Sequence, residues 1–212
     1  AIVSWYRKRY GVEFSRTSII PTTGVVPAIS SILQGLCLPG DEVIIQTPAY
    51  NCFFSSVRNS GLVLSENALK LVNGRWEIDF EDLEERASRE KARALLFCNP
   101  QNPTGRVWTR DELTRVAEIC EKHGIFLISD EIHGELTAEG FRYTPLASVS
   151  PWAKDHVITA SAASKAFNIA GLQTAYIIAP VAEARNRIDR QININEVCDP
   201  NPLGIEALIA AY

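Results

Sequence analysis

The chain has 212 residues, enough for one substantial domain, with 46% hydrophobic and 22% charged residues and a formal charge of −4. That composition excludes disorder, collagen and low-complexity architectures. A mild negative charge without long blocks gives a nucleic-acid or membrane-surface partner no electrostatic support. No apolar run approaches the roughly 20 residues of a membrane span, and no signal peptide opens the chain, so a soluble cytoplasmic protein is expected.

Residues 1–10 (AIVSWYRKRY) already read as mid-helix, there is no methionine, and residues 202–212 end within a helical pattern. These features lead us to expect a fragment of a longer protein. Between the ends, short apolar runs at 18–21, 42–46, 62–65, 94–98, 125–129, 157–159 and 174–179 read as strands. Several are continuous rather than alternating (VIIQ, ALLFC, IFLIS), as in strands covered on both faces. Asp79 is placed to cap FEDLEERAS. The clearest helix runs over 109–123: Thr109 and Glu112 make a capping box, Leu113, Val116, Ala117 and Cys120 form an apolar stripe, and Gly124 stops it. Strand–helix alternation along the whole length predicts an α/β domain with a mostly parallel sheet and no internal linker.

The five cysteines are scattered without a CxxC, and the three histidines form no HExxH, so no metal site is expected and the thiols read as reduced.

In a parallel sheet, ligands bind beyond the carboxyl ends of the strands. No glycine pair has GxG spacing, and Gly35 to Gly40 leads into Asp41 instead of a lysine, so neither dinucleotides nor ATP is favoured. In TTGVVPAI, Gly24 permits close backbone approach, and Val25 and Val26 open a helix whose free N–H groups suit an anion. Asp130 follows a buried strand and needs a cationic or hydrogen-bonding partner; a helix cap or ion pair is the alternative. Lys165 lies in a charge-free loop and suits a nucleophile or base; a snorkelling surface lysine is the alternative. A phosphate cradle, an aromatic at Tyr50, an Asn-Pro loop, a strand-end Asp and a later lone Lys together meet the requirements of pyridoxal 5'-phosphate.

NPQNPTG (99–105), SDEIH (129–133) and SKAFNIAGL (164–172) occur in that order, and through them the chain resembles the class I/II aminotransferase-like, fold-type I pyridoxal phosphate enzymes. GVVPAI, GRVW, DEIH, SKAFNIAGLQ and NEVCDPNPLGIEA are most similar to the cystathionine β-lyase (C–S lyase) branch. The resemblance implies a three-layer α/β sandwich with a mixed, mainly parallel seven-stranded sheet, the large domain of such enzymes, over residues 1–212. It implies an N-terminal segment and a C-terminal small domain outside this chain. It further implies that Lys165 is the Schiff-base lysine and the base at Cα, and that Asp130 holds the pyridine nitrogen protonated. Asn102 and His133 then meet the cofactor's phenolic oxygen, Tyr50 and Ile132 cover the two ring faces, and Gly24, Val25, Val26 and Ser164 bind phosphate. Many aminotransferases have tyrosine at His133, and an arginine eight residues past the lysine is here Gln173. The carboxylate-binding arginine and a partner-subunit tyrosine are expected outside the chain, in a homodimer.

The implied function is C–S β-lysis of cystathionine or cysteine conjugates, with aminotransfer of amino-acid substrates as the alternative. A non-catalytic regulatory module is a third reading, but no basic DNA-binding helix pair accompanies Lys165 and Asp130.

Overall fold

The computed structural model describes all of residues 1–212. Helix α1 (Ile2–Tyr10) leads to strand β1 (Ile19–Thr22) and helix α2 (Val25–Leu36). Strand β2 (Glu42–Thr47), helix α3 (Asn51–Asn59), strand β3 (Val63–Ala68) and a hairpin of β4 (Lys70–Val72) and β5 (Arg75–Glu77) follow. Next come α4 (Phe80–Ala87), β6 (Ala92–Cys98), α5 (Arg110–His123) and β7 (Phe126–Asp130). The chain ends with α6 (Pro151–His156), β8 (Ile158–Ser161), β9 (Ala175–Ile178), α7 (Ala182–Ile194) and α8 (Pro202–Ala211).

Seven strands form one sheet in the order β1-β9-β8-β7-β6-β2-β3. Only β9 runs against its neighbours; β3, β2, β6, β7 and β8 pair in parallel. The expected mixed, mainly parallel sheet is therefore present. Its central strands are apolar on both faces because each face is covered. Val43, Ile45, Leu96 and Ile128 pack with Ile29, Ile32 and Leu33 of α2 and Ile188 of α7. The intervening Ile44, Leu95, Phe97 and Leu127 pack with Leu83 of α4 and Leu113, Val116 and Cys120 of α5. Each such fully buried side chain contributes about 1.5–3 kcal/mol of hydrophobic stabilisation. Gly35 lets α2 and α7 cross closely, since a Cβ there would lie 3.1 Å from the Arg187 carbonyl oxygen. A third cluster joins Tyr6 of α1 and Leu208 of α8 to Tyr176 and Ile178 of β9.

Local chemistry accounts for the element ends. Thr109 and Glu112 form the reciprocal capping box of α5, and Gly124 ends it at φ 64°. The Asp79 carboxylate accepts from the Asp82 N–H at 3.4 Å to start α4 and pairs with Lys70 Nζ at 2.6 Å. Several sequence-based boundaries shift by one to three residues, two of them with a clear physical reason or a bearing on the site. Strand β3 runs on to Ala68 because the polar Asn67 is fully buried, donating to the Asp79 carbonyl at 3.0 Å and to Asp82 Oδ2 at 2.7 Å. Asp130, expected just after its strand, is the last residue of β7 and pairs with Ala160 of β8.

Candidate active site

Strands β1, β6, β7 and β8 point their carboxyl ends to one side, where β9 begins. A cavity of about 430 Å³ lies there. The structure brings all ten site residues expected from sequence to its wall: Gly24, Val25, Val26, Tyr50, Asn102, Asp130, Ile132, His133, Ser164 and Lys165. It adds residues the sequence reading left out, including Cys98 at the end of β6 and Thr174 at the start of β9. Cys98 closes β6 and Thr174 leads into β9, and nothing in their side-chain chemistry announces them.

The α2 amino terminus faces this cavity. Gly24 is extended (φ 179°, ψ 162°), so its role is close approach, not a left-handed conformation. A Cβ there would press on Pro27 Cδ at 3.3 Å. First-turn amides of a helix have no intrahelical acceptor and carry partial positive charge, which makes this end suited to an anion.

Across the cavity, Asp130 is 5% exposed and accepts one hydrogen bond, from the Ile132 N–H to Oδ1 at 3.1 Å. Burial pushes its carboxyl up to about 7, with the neighbouring Glu131 adding to the rise and the Ile132 N–H and Lys165 opposing it. A carboxylate so poorly compensated suits a cation placed in the cavity. Burial, reinforced by Lys165, pulls the His133 imidazole below its ordinary range, so the ring is neutral at pH 7. Lys165 is exposed at the cavity wall, after β8. Tyr50, also exposed, caps α3 and meets the Phe53 ring edge-on at 6.4 Å. An anion cradle, a cation-seeking carboxylate and a primary amine around one cavity fit pyridoxal phosphate.

Hydrogen bonds behind the wall fix these groups. Gln101 Nε2 donates to the Pro48 carbonyl at 2.7 Å, and its Oε1 accepts from the Thr104 N–H at 2.8 Å, bracing the loop that carries Asn102. Glu131, unremarked in the sequence, turns away from the cavity. It accepts from Ser129 Oγ at 2.9 Å, Asn99 Nδ2 at 3.2 Å, the Leu146 N–H at 2.9 Å and the Tyr143 hydroxyl. It thereby ties β7, the Asn-Pro loop and the segment around Tyr143 into one unit.

A parallel α/β sheet with such a cavity at its carboxyl edge defines the class: a cofactor-binding α/β enzyme domain. The sequence profile of the aminotransferase class I and II family matches residues 1–204. The chain belongs to this family of pyridoxal phosphate enzymes. It is 38% identical to cystathionine β-lyase PatB of Bacillus subtilis, over 100% of this chain and 55% of PatB. It is also 33% identical to kynurenine–oxoglutarate transaminase 3 of Rattus norvegicus, over 85% of this chain and 41% of that protein. Among solved structures, cystalysin from Treponema denticola, which contains pyridoxal 5'-phosphate, superposes with a TM-score of 0.95 at 36% identity, covering 98% of this chain and 52% of cystalysin. The chain spans about half the length of the curated relatives it matches.

Proposed function

We propose that the protein carrying this chain is a pyridoxal phosphate-dependent carbon–sulfur β-lyase. In this reading, cystathionine or a cysteine conjugate and water give a thiol, pyruvate and ammonia. The observation that carries it is the likeness to cystathionine β-lyase PatB along the entire chain. Residues 1–212 are then the cofactor-binding large domain.

Bound pyridoxal phosphate supplies an electron sink conjugated to the substrate's Cα. Lys165, the one lysine lining the cavity, would hold the cofactor through Nζ and would serve as the base for the proton on the substrate's Cα. The Asp130 carboxylate stabilises positive charge on the pyridine nitrogen, which also relieves its own burial. The amides of Gly24, Val25 and Val26, with the Ser164 hydroxyl, hold the phosphate dianion. With Gln173 where many relatives have arginine, that charge is met chiefly by the α2 dipole. Tyr50 and Ile132 would cover the two faces of the ring, while Asn102 and neutral His133 would donate to the phenolic oxygen. Five free cysteines agree with a reducing cytoplasm, and a homodimer is the assembly the family resemblance favours.

Aminotransfer is the second reading, favoured by the likeness to kynurenine–oxoglutarate transaminase 3. It uses the same groups up to proton removal and diverges in where the electrons go next. Cystathionine supplied without a 2-oxo acid separates the two. The lyase reading expects homocysteine, pyruvate and ammonia over many turnovers. Turnover that appears only on adding a 2-oxo acid establishes the transaminase instead.

A further inference from the structure

The loop leaving β7 presents Ile132 and His133 to the cavity and Glu135 to the opposite side. There helix α1 grips Glu135 with three donors. Oε1 accepts from Trp5 Nε1 at 2.9 Å and from the Tyr10 hydroxyl, and Oε2 accepts from Arg9 at 2.6 Å. The Glu135 side chain is 15% exposed and that of Arg9 54%, so the bonds from Trp5 and Tyr10 are the ones better shielded from water. Charge-assisted bonds of this kind are roughly twice as strong as neutral ones. All three donors sit on one helix, so the carboxylate cannot swing without losing them together.

The segment between His133 and Glu135 has little freedom. The Leu136 N–H donates to the His133 carbonyl at 2.8 Å, closing a turn. Gly134 lies flat on Tyr143; a Cβ there would be 2.9 Å from ring carbon Cε1. Tyr143 in turn meets the Tyr10 ring edge-on at 5.2 Å. A shift of Glu135 is therefore passed to His133.

Trp5 also reaches the second loop of the cavity wall. Its ring stacks on Tyr212 at 4.9 Å and meets Phe167 edge-on at 6.3 Å. Phe167 is two residues beyond Lys165, and the intervening turn is closed by the Phe167 N–H on the Ala163 carbonyl at 3.0 Å. One indole thus touches both cofactor-facing loops, while Trp5 and Glu135 themselves do not line the cavity.

We propose that Trp5 and Glu135 are positioning residues, a node on α1 that sets the loops of His133 and Lys165 relative to each other. This rests on the reading that the cavity binds pyridoxal phosphate. The test compares Glu135→Leu, Glu135→Gln and Trp5→Phe in the whole protein by three readouts: cofactor Kd, visible circular dichroism of the bound cofactor, and Tm without cofactor. Glu135→Leu loses every bond of the node and should raise Kd about tenfold, with a weakened visible dichroic band. Glu135→Gln keeps an oxygen for Trp5 and Tyr10 and should return Kd to within about threefold of the unsubstituted protein. Trp5→Phe keeps an aromatic ring but loses the N–H, and should raise Kd about threefold with the same change in the visible band. A lowered Tm with Kd and visible dichroism unchanged in Glu135→Leu would show that the node only stabilises the fold. Should Glu135→Leu not fold, unchanged Kd and dichroism in Trp5→Phe would overturn the proposal equally. If the unsubstituted protein binds no pyridoxal phosphate, the parent reading falls first, an outcome recognisable before any variant is compared.

Discussion

Asp130 and Glu131 are adjacent buried carboxylates with opposite fates. Glu131 has four donors, whereas Asp130 has one N–H and an open cavity before it. This gives Asp130 a pH signature in the cofactor-free protein. Its carboxyl is raised to about 7, so between the ordinary carboxylate range and that value the folded chain keeps a proton the unfolded chain has released. The stability this provides is full below about pH 4 and is lost as pH rises through about 7. Asp130→Asn removes the buried charge. It should match the parent near about pH 4 and be more stable above about pH 7, by something on the order of 4 kcal/mol. Chemical denaturation across pH checks this; parallel curves would mean that burial does not strain the carboxylate. With cofactor present the sign reverses, and the same variant should bind and turn over poorly. Asp130 and Lys165 were legible because a charge beside a buried strand, or alone in an uncharged loop, needs a partner. Glu131 and Glu135 were not, since apart from Ser129 the donors that satisfy them come from other segments of the chain.

At the scale of elements, local chemistry was readable wherever it is written in neighbouring residues. Helix α5 has its apolar stripe, reciprocal cap and stop glycine within one short stretch. Thr109→Ala should therefore cost about 1 kcal/mol, seen as a lower denaturant midpoint with cofactor Kd unchanged, because Thr109 does not line the cavity. A changed Kd would mean that α5 helps to hold the Asn-Pro loop. The β4–β5 hairpin went unread although Asn73-Gly74 is its turn signal, with φ 49° and 79° at the two positions. Its strands have three residues each and are largely exposed, so they carry no apolar alternation to announce them. Strand β3 looked shorter than it is because Asn67 is polar yet buried, and its partners at Asp79 and Asp82 belong to the next helix.

At the scale of the molecule, the seven strands were recognisable singly but their order was not. Adjacency of β9 to β1 and β8 depends on long crossovers that no local pattern encodes. The docking of α8 is equally non-local. A Cβ on Gly204 would fall 1.8 Å from Thr174 Oγ1 and 2.8 Å from the Leu172 carbonyl oxygen, so α8 is pressed against the turn that enters β9 beside the cavity. Gly204→Ala should destabilise the protein by about 1–3 kcal/mol and weaken cofactor binding, both measurable in one titration series; an unaltered Kd would show that the turn yields without disturbing the wall. This fold gathers one anion cradle, one carboxylate and one amine around a single cavity, and the amine is the decisive group. Of the lysines in the chain, only Lys165 lines the cavity. Borohydride reduction of the cofactor-loaded protein, followed by peptide mapping, should place the pyridoxyl group on the peptide containing Lys165. Its recovery on any other lysine, or no fixed cofactor at all, would contradict the account.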